Sequence, residues 1–185
     1  MDLLEKVKNN DKIKKFFYQY CDFDPYENLK DTNDLNGEMK FNINNKAFGM
    51  AGDGSEFLIL EDGTIALNGS EGYVGRIADL MKDFFALLIN FPCFWDFMIY
   101  DIFLEKNKEM FHARLSKAME ELKDRRKFEY LRKEAAIYLN IMLDDDVVNN
   151  TALKFYNCVM REPRLGYWYK NVFNYELFID SCYYC

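Results

Sequence analysis

The sequence lacks the residues from which most catalytic and metal sites are built. It contains one histidine in 185 residues, His112, and no phosphate-binding loop, no Gly-x-Ser-x-Gly elbow and no His-Glu-x-x-His helix. His112 lies in a charged stretch, which favours a solvated helical side chain. We therefore expect no catalytic activity and no metal, nucleotide or other cofactor. Paired carboxylates leave a small hydrolase as an alternative.

Cysteines are too few and too scattered for a disulfide framework. Their number, five, is odd, and their spacing is irregular. Reduced thiols are the simpler interpretation. Cys182 and Cys185 have the spacing of half a zinc site, but the sequence offers no second pair, so we expect ordinary thiols.

Long apolar segments are also missing. The longest strongly apolar run covers residues 84–89, far short of the roughly 20 residues that a membrane-spanning helix requires. The N-terminus is charged at Asp2, Glu5 and Lys6, where a signal peptide needs an apolar stretch. These features predict a cytoplasmic protein without a membrane partner.

The charge that is present is acidic and unevenly distributed. The net charge is −7; residues 1–104 carry 10 basic and 18 acidic side chains, whereas residues 105–185 carry 14 and 13. An acidic surface repels phosphate backbones, so we expect no nucleic-acid partner. It attracts basic proteins, although solubility alone is a sufficient reason for an acidic composition.

The middle of the chain predicts a β-sheet. Two apolar segments, residues 57–60 and 65–67, flank Asp62-Gly63. Asp-Gly favours a two-residue hairpin turn in which both positions take positive φ. Both faces of this hairpin are apolar, so we expect it in the centre of a sheet covered on both sides. Counting outward from the turn pairs Leu60 with Ile65, Ile59 with Ala66 and Leu58 with Leu67.

Helices are predicted on either side of this sheet. Residues 3–20 favour a first helix, followed by a loop over residues 22–37. Another helix is expected to begin after the N-cap Asp79, with Phe84 and Leu88 in the core. Further helices are predicted over residues 93–104, 105–143 and 151–161. The aromatic C-terminus contains Tyr167, Trp168, Tyr169, Phe173, Tyr175, Phe178, Tyr183 and Tyr184.

These elements predict an α+β fold with a mixed, mainly antiparallel sheet flanked by helices. We expect an α+β domain over residues 1–104 and a helical extension over residues 105–185. No internal repeat or low-complexity linker is evident, so the extension should pack on the first part as a single structural unit.

Several segments of the sheet region together resemble the SUKH superfamily. They are Gly52-Asp53-Gly54-Ser55-Glu56-Phe57-Leu58-Ile59-Leu60, Asp62-Gly63-Thr64-Ile65, Gly69-Ser70-Glu71-Gly72, Arg76-Ile77-Ala78-Asp79 and Phe84-Phe85. Members share a Gly/Asp turn, an apolar hairpin and an Ile-Ala-Asp sequence that leads into a helix. The resemblance implies an α+β fold. It also implies an immunity protein that binds and neutralises a cognate toxin, often a nuclease, or an interaction hub such as a yeast cell-wall regulator.

The predicted partner-binding residues are acidic side chains in or beside the turns. Turns are exposed and are held in place by the sheet beneath them. A nuclease toxin is basic where it holds phosphate, so a basic protein is the expected partner. The five residues are Asp53, Glu56, Glu61, Asp62 and Glu71.

A second hypothesis assigns the chain a scaffold or regulatory role without a toxin partner. The aromatic C-terminus would then form the interface of a homo-oligomer, because tyrosine and tryptophan are favoured at protein interfaces. A neighbouring toxin gene would favour the first hypothesis, and concentration-dependent assembly would favour the second.

Overall fold

The computed structural model shows an α+β architecture, which confirms the predicted fold class. Helices pack on one face of a five-stranded antiparallel sheet, and a small three-stranded sheet lies against the other face. The structure describes residues 2–32, 39–70, 72–92, 94–97, 105–123, 125–169 and 172–174.

In the described part of the chain, eight strands form the two sheets. The strands are β1 (Asp24–Asp31), β2 (Met39–Phe41), β3 (Asn45–Met50), β4 (Glu56–Leu60), β5 (Ile65–Asn68), β6 (Val74–Ala78), β7 (Tyr167–Tyr169) and β8 (Val172–Asn174). The central sheet has the order β1-β3-β4-β5-β6, and the second has the order β2-β7-β8. β2 therefore joins the N-terminal part of the chain to a hairpin from its C-terminal part.

The helices in the described part of the chain are α1 (Leu3–Lys8), α2 (Asp11–Tyr20), α3 (Met81–Asn90), α4 (Glu105–Lys123), α5 (Phe128–Leu139) and α6 (Leu153–Val159). A short 3₁₀ helix covers Phe94–Phe97, and a π-helical turn over Val148–Ala152 leads directly into α6. None of these helices is both long enough and apolar enough to cross a membrane.

The two edges of the central sheet differ. α6 packs along β6 and covers that edge. β1 forms the other edge, where its residues from Glu27 to Asp31 are exposed. The pairing of β1 with β3 is interrupted by a bulge between Pro25 and Lys30. Charged side chains and bulges are common protections of an open edge strand.

The main core lies between the central sheet and the helices, and Phe23 is at its centre. Phe23 is fully buried, and its ring packs against phenylalanines from α2, the sheet and α3. Phe84 and Leu88 are also fully buried, which confirms the apolar stripe predicted for α3. The partner rings of Phe23 are Phe17, Phe48, Phe57, Phe84 and Phe85.

Two predictions for the N-terminal region were wrong. The predicted helix over residues 3–20 is divided into α1 and α2, because the Asn10 side chain accepts a hydrogen bond from the Ile13 amide and begins a new helix. The predicted loop over residues 22–37 contains β1. An edge strand is mostly solvated, so β1 has no apolar alternation by which it could be identified.

The predicted register of the β4–β5 hairpin was wrong by one residue. Ile59 pairs with Ile65 and Leu58 with Ala66. Gly63 has a φ of +82°, and Asp62 is not among the residues with positive φ. The connection is thus a three-residue loop, a type I turn followed by a left-handed glycine, and not the predicted two-residue turn. The correct register still leaves both faces of the hairpin buried.

Replacing Gly63 with valine should destabilise the protein by about 1–2 kcal/mol, because a β-branched residue is strained at positive φ. No atom lies within 4 Å of the position that a Cβ would occupy, so the cost is conformational and not steric. Gly63→Asn is the matched control, since asparagine tolerates this conformation and should cost less. Chemical denaturation of both variants tests the assignment, and equal stability of Gly63→Val and the wild type would contradict it.

Asp79 is not the N-cap of α3, as was predicted. The helix begins at Met81 after Leu80, which forms no capping hydrogen bond through its side chain. The Asp79 carboxylate instead forms an ion pair with Arg161 and accepts a hydrogen bond from the Cys158 thiol. Asp79 therefore contacts Cys158 in α6 and Arg161 just after it and does not cap α3.

The predicted helical character of residues 105–143 and 151–161 is confirmed by α4, α5 and α6. Not all of the C-terminal region is helical, because Tyr167–Tyr169 and Val172–Asn174 form strands. Aromatic residues suit a pleated surface, so this outcome agrees with their β propensity. Of the predicted helix over 93–104, only residues 94–97 are described. Tyr175, Phe178, Tyr183 and Tyr184 also lie outside the described residues.

Candidate functional site

Three loops of the central sheet share one backbone design. They connect β3 to β4, β4 to β5 and β5 to β6. In each, a backbone amide donates to a carbonyl four residues later, namely Ala51 to Ser55, Leu60 to Thr64 and Gly69 to Tyr73. Each loop ends in a glycine with positive φ, and these lie nine residues apart at Gly54, Gly63 and Gly72. In the sequence an acidic residue precedes each glycine, a recurrence that the sequence analysis missed.

Asp53 holds its own loop and the neighbouring loop together. Its Oδ1 accepts a hydrogen bond from the Ser55 amide at 2.8 Å, and its Oδ2 accepts from the Ser55 hydroxyl at 2.9 Å and the Ser70 hydroxyl at 3.1 Å. Partial burial acts to raise the pKa of Asp53, but the hydrogen bonds from Ser55 and Ser70 outweigh it, and the pKa is lowered. The carboxylate is therefore fixed in its charged form.

Asp62 performs the corresponding role at the β4–β5 loop. Its Oδ1 accepts hydrogen bonds from the amide and hydroxyl of Thr64, at 3.0 and 2.6 Å. Its Oδ2 lies 3.0 Å from Nη2 of Arg76, whose side chain is only 3% exposed. Arg76 also donates to the Thr64 hydroxyl and to the carbonyl of Pro163. Arg76 thus connects the β4–β5 loop to the segment that follows α6.

The predicted partner-binding residues lie at two opposite ends of the sheet. Asp53 and Glu56 lie at one end, where β4 begins; Glu61 and Asp62 lie at the other, where β4 finishes. At about 3.3 Å per residue, the Cα atoms of Glu56 and Glu61 are about 16 Å apart. Glu61 is exposed and accepts a hydrogen bond from the Asn44 side chain. Glu71 lies outside the described residues.

One end of the sheet carries a cluster of carboxylates, which we call the acidic end: Asp22, Asp24, Asp53 and Glu56. The Asp22 carboxylate accepts a hydrogen bond from the Gly52 amide at 2.9 Å, which brings Asp22 beside the Asp53 loop. Asp24 and Glu56 both pair with Met50 across the strands and so share one face. In the acidic end only Asp24 lies within 4.0 Å of a lysine, Lys14; no ion pair between described residues involves the other three.

Tyr26 reports on the electrostatics of this end. Its hydroxyl donates to Oε1 of Glu56 at 3.1 Å. Burial, followed by the charges of Glu56 and Asp24, raises the pKa of Tyr26 to about 12. The charges of Glu56 and Asp24 thus favour a cationic group near the Tyr26 hydroxyl, and the ammonium of Lys30 lies 3.4 Å from the centroid of the Tyr26 ring.

Sequence reasoning identified Asp53 and Glu56 but missed Asp22 and Asp24. Asp22 and Asp24 were both assigned to a loop. They lie close to the β3–β4 loop because β1 runs beside β3. The sequence signal for β1 was Asp24-Pro25 directly after an amphipathic helix, because a proline is tolerated in an edge strand. Only the strand order reveals that Asp22 and Asp24 lie at the same end of the sheet as Asp53.

The described thiols are not suited to nucleophilic chemistry. Burial, together with the nearby charge of Asp79, raises the pKa of Cys158 to about 12, so this thiol is protonated at neutral pH. Cys21 is fully buried and donates to the carbonyl of Leu88. Among the described residues, no group of three or more His, Cys, Asp or Glu side chains is arranged to hold a metal ion. Cys93, Cys182 and Cys185 lie outside these residues.

An aromatic pair is displayed on the second sheet. Trp168 and Phe173 are directly opposite each other on β7 and β8, with ring centroids 5.0 Å apart. Their exposed fractions are 46% and 37%. Tyr167 faces the other way and packs its ring against Phe41. The outer face of this hairpin therefore presents exposed apolar surface. Its residues lie far from those of the acidic end in the sequence.

Comparisons with protein-family models, with curated proteins and with solved structures found no match to this chain.

Proposed function

We propose that this chain is a non-enzymatic protein-binding module of the SUKH type, an immunity protein that binds and neutralises a basic toxin domain, such as a nuclease, in the cytoplasm. The observation that carries the proposal is the acidic end. There, four carboxylates from β1, β4 and the loops beside them converge on one end of the sheet, and three of them have no cationic partner among the described residues.

Rigidity of the acidic end supports a role in recognition. Asp22 and Asp53 are held by hydrogen bonds to the β3–β4 loop and to Ser55 and Ser70, so they need little ordering when a partner binds. Preorganised charges lose less conformational entropy on association and steer an oppositely charged partner during encounter. Glu56 and Asp24 each keep a carboxylate oxygen that can meet a partner's lysine or arginine.

The experiment is co-expression of this chain with the toxin encoded by the neighbouring gene, with growth as the readout. The wild type should restore growth, and the double variant Asp24→Lys/Glu56→Lys should lose protection. Asp53 is excluded from the test because its replacement would also break the loop. Glu61→Lys is the matched control, since it reverses one exposed charge at the opposite end of the sheet and should still protect.

Binding kinetics separate a specific contact from a folding defect. The double variant should keep the wild-type thermal midpoint within a few degrees but associate with the toxin more slowly, with a weaker dependence on salt. Full protection by the double variant would exclude the acidic end as the contact. Failure of the wild type to bind the toxin would exclude the immunity function for that pair.

A scaffold role within a homo-oligomer is the second candidate, and the exposed pair Trp168 and Phe173 favours it. Aromatic residues in an exposed patch are typical of protein interfaces. Sedimentation velocity over a range of concentrations tests this role. A concentration-dependent sedimentation coefficient that Trp168→Gln abolishes would favour the scaffold function.

A further inference from the structure

A basic cleft lies between α2 and α5. Its volume is about 680 Å³, which is in the range of ligand pockets. Its lining includes four cations, Lys12, Lys15, Arg126 and Lys127, together with the phenol of Tyr130 and the amide of Gln19. Lys12 and Lys15 belong to one predicted helix and Arg126 and Lys127 to another, and the packing of α2 against α5 brings them together.

Most of the positive charge in this cleft is not neutralised. Lys12 forms an ion pair with Glu134 and donates to the Tyr130 hydroxyl at 2.9 Å. No ion pair between described residues involves Lys15, Arg126 or Lys127, and all three are exposed. In a chain of net charge −7, such a concentration of cations in one concave site favours an anionic ligand.

The donors in the cleft fit a phosphate group better than a single carboxylate. Guanidinium offers a planar pair of N–H groups, and each ammonium offers a point charge with several donors. A phosphate accepts hydrogen bonds in several directions and carries up to two charges, so it can engage Lys15, Arg126 and Lys127 together. We infer that this cleft binds the phosphate or diphosphate group of a small ligand, a site independent of the proposed immunity function.

A nucleic acid is a poorer fit than a small phosphorylated ligand. A polymer needs a basic path that continues beyond one cleft. The helix that leads toward Arg126, α4, instead exposes Glu120 and Glu121, which would repel a phosphate backbone. These acidic side chains of α4 interrupt the basic surface beyond the cleft.

Lys127 offers a way to separate binding from folding. It has a φ of +73°, a conformation that costs energy for any residue with a Cβ. Lys127→Gly removes a cation and the strain together. This variant should raise the thermal midpoint and at the same time weaken ligand binding, an outcome that a purely structural role of Lys127 would not produce.

The experiment is titration of the full chain with pyrophosphate, followed by calorimetry and by amide chemical shifts. The wild type should bind, and Lys15→Gln/Arg126→Gln should weaken binding by about tenfold for each cation removed. Lys117→Gln, a cation on α4 outside the cleft, is the matched control and should bind as the wild type does. Shifts should concentrate on α2 and the first turn of α5.

Two further experiments identify whether the phosphate belongs to a lipid headgroup or to a soluble ligand. If the wild type floats with phosphatidylcholine vesicles that contain phosphatidic acid and the double variant does not, the phosphate group belongs to a lipid headgroup. Pyrophosphate binding without flotation would assign it to a soluble ligand. No binding of pyrophosphate or vesicles by the wild type, or equal binding by the double variant, would overturn the inference. So would self-association that the double variant abolishes in the absence of phosphate, because the occupant would then be the acidic end of a second copy.

Discussion

Replacing Phe23 with alanine is expected to destabilise the protein by about 3–5 kcal/mol, the range for removing a large aromatic side chain from a core. Phe23 is fully buried, and its ring lies 5.2 Å from those of Phe57 and Phe84 and within 6.1 Å of three others. These partners come from α2, β3, β4 and α3. The cavity would therefore open where all these elements meet and where no single one can move in to fill it.

Urea denaturation followed by circular dichroism measures this effect as a lower midpoint at an unchanged slope. Tyr18→Ala on α2 is the matched control, because Tyr18 is 63% exposed and its removal should change stability by less than about 0.5 kcal/mol. If Phe23→Ala cost no more than Tyr18→Ala, the core would not be centred on Phe23.

Replacing Asp62 with alanine should cost about 3 kcal/mol, because it leaves the buried Arg76 guanidinium without its counter-charge. This is the lower end of the range for a broken buried pair. The Asp62 side chain is 45% exposed, and Arg76 keeps its hydrogen bonds to Thr64 and Pro163. The loss of this ion pair should also destabilise the segment after α6, because Arg76 hydrogen-bonds that segment to the sheet.

The pH dependence of the free energy of unfolding distinguishes the contribution of this ion pair from that of packing alone. Partial burial of Asp62 is outweighed by hydrogen bonds from Thr64 and Arg76, and its pKa in the folded protein is lowered. The stabilisation is therefore complete above the unfolded pKa of about 3.9 and is lost as the pH falls through the folded pKa. The wild type and Asp62→Ala should converge in stability in strong acid; a difference that stays constant to that limit would contradict the ion pair. Asp145→Ala, an exposed carboxylate for which no ion pair between described residues is seen, is the control.

The sequence predicted the fold class because the signals that set it are local. Apolar residues around Asp62-Gly63 indicated the central hairpin, and the stripe of Phe84 and Leu88 indicated α3. β1 was missed because an exposed edge strand has no apolar alternation. The hairpin register was wrong because Asp-Gly is compatible with both a two-residue and a three-residue loop. In the three-residue loop Asp62 accepts hydrogen bonds from Thr64, which is local, and pairs with Arg76, which is 14 residues away and is not visible from the turn sequence.

The candidate site was only partly predictable for a similar reason. Acidic residues in turns are visible in a sequence, but the strand order decides which turns meet. Asp53 and Glu56 share an end with Asp22 and Asp24, whereas Glu61 lies at the other. The basic cleft was divided between two helices more than 100 residues apart, Lys12 on α2 and Arg126 before α5. Acidic residues also lie close to Arg126 in the sequence, among them Glu120, Glu121 and Glu129, so the net charge of this region does not indicate a basic site.

The unequal edges of the central sheet limit how the protein could polymerise. A foreign strand can extend a sheet only where backbone groups are open, and α6 lies over β6, so β1 is the one central-sheet edge not covered by a described helix. Two copies that joined through β1 would use up both open edges at once. Strand addition through the central sheet would therefore stop at a pair of copies.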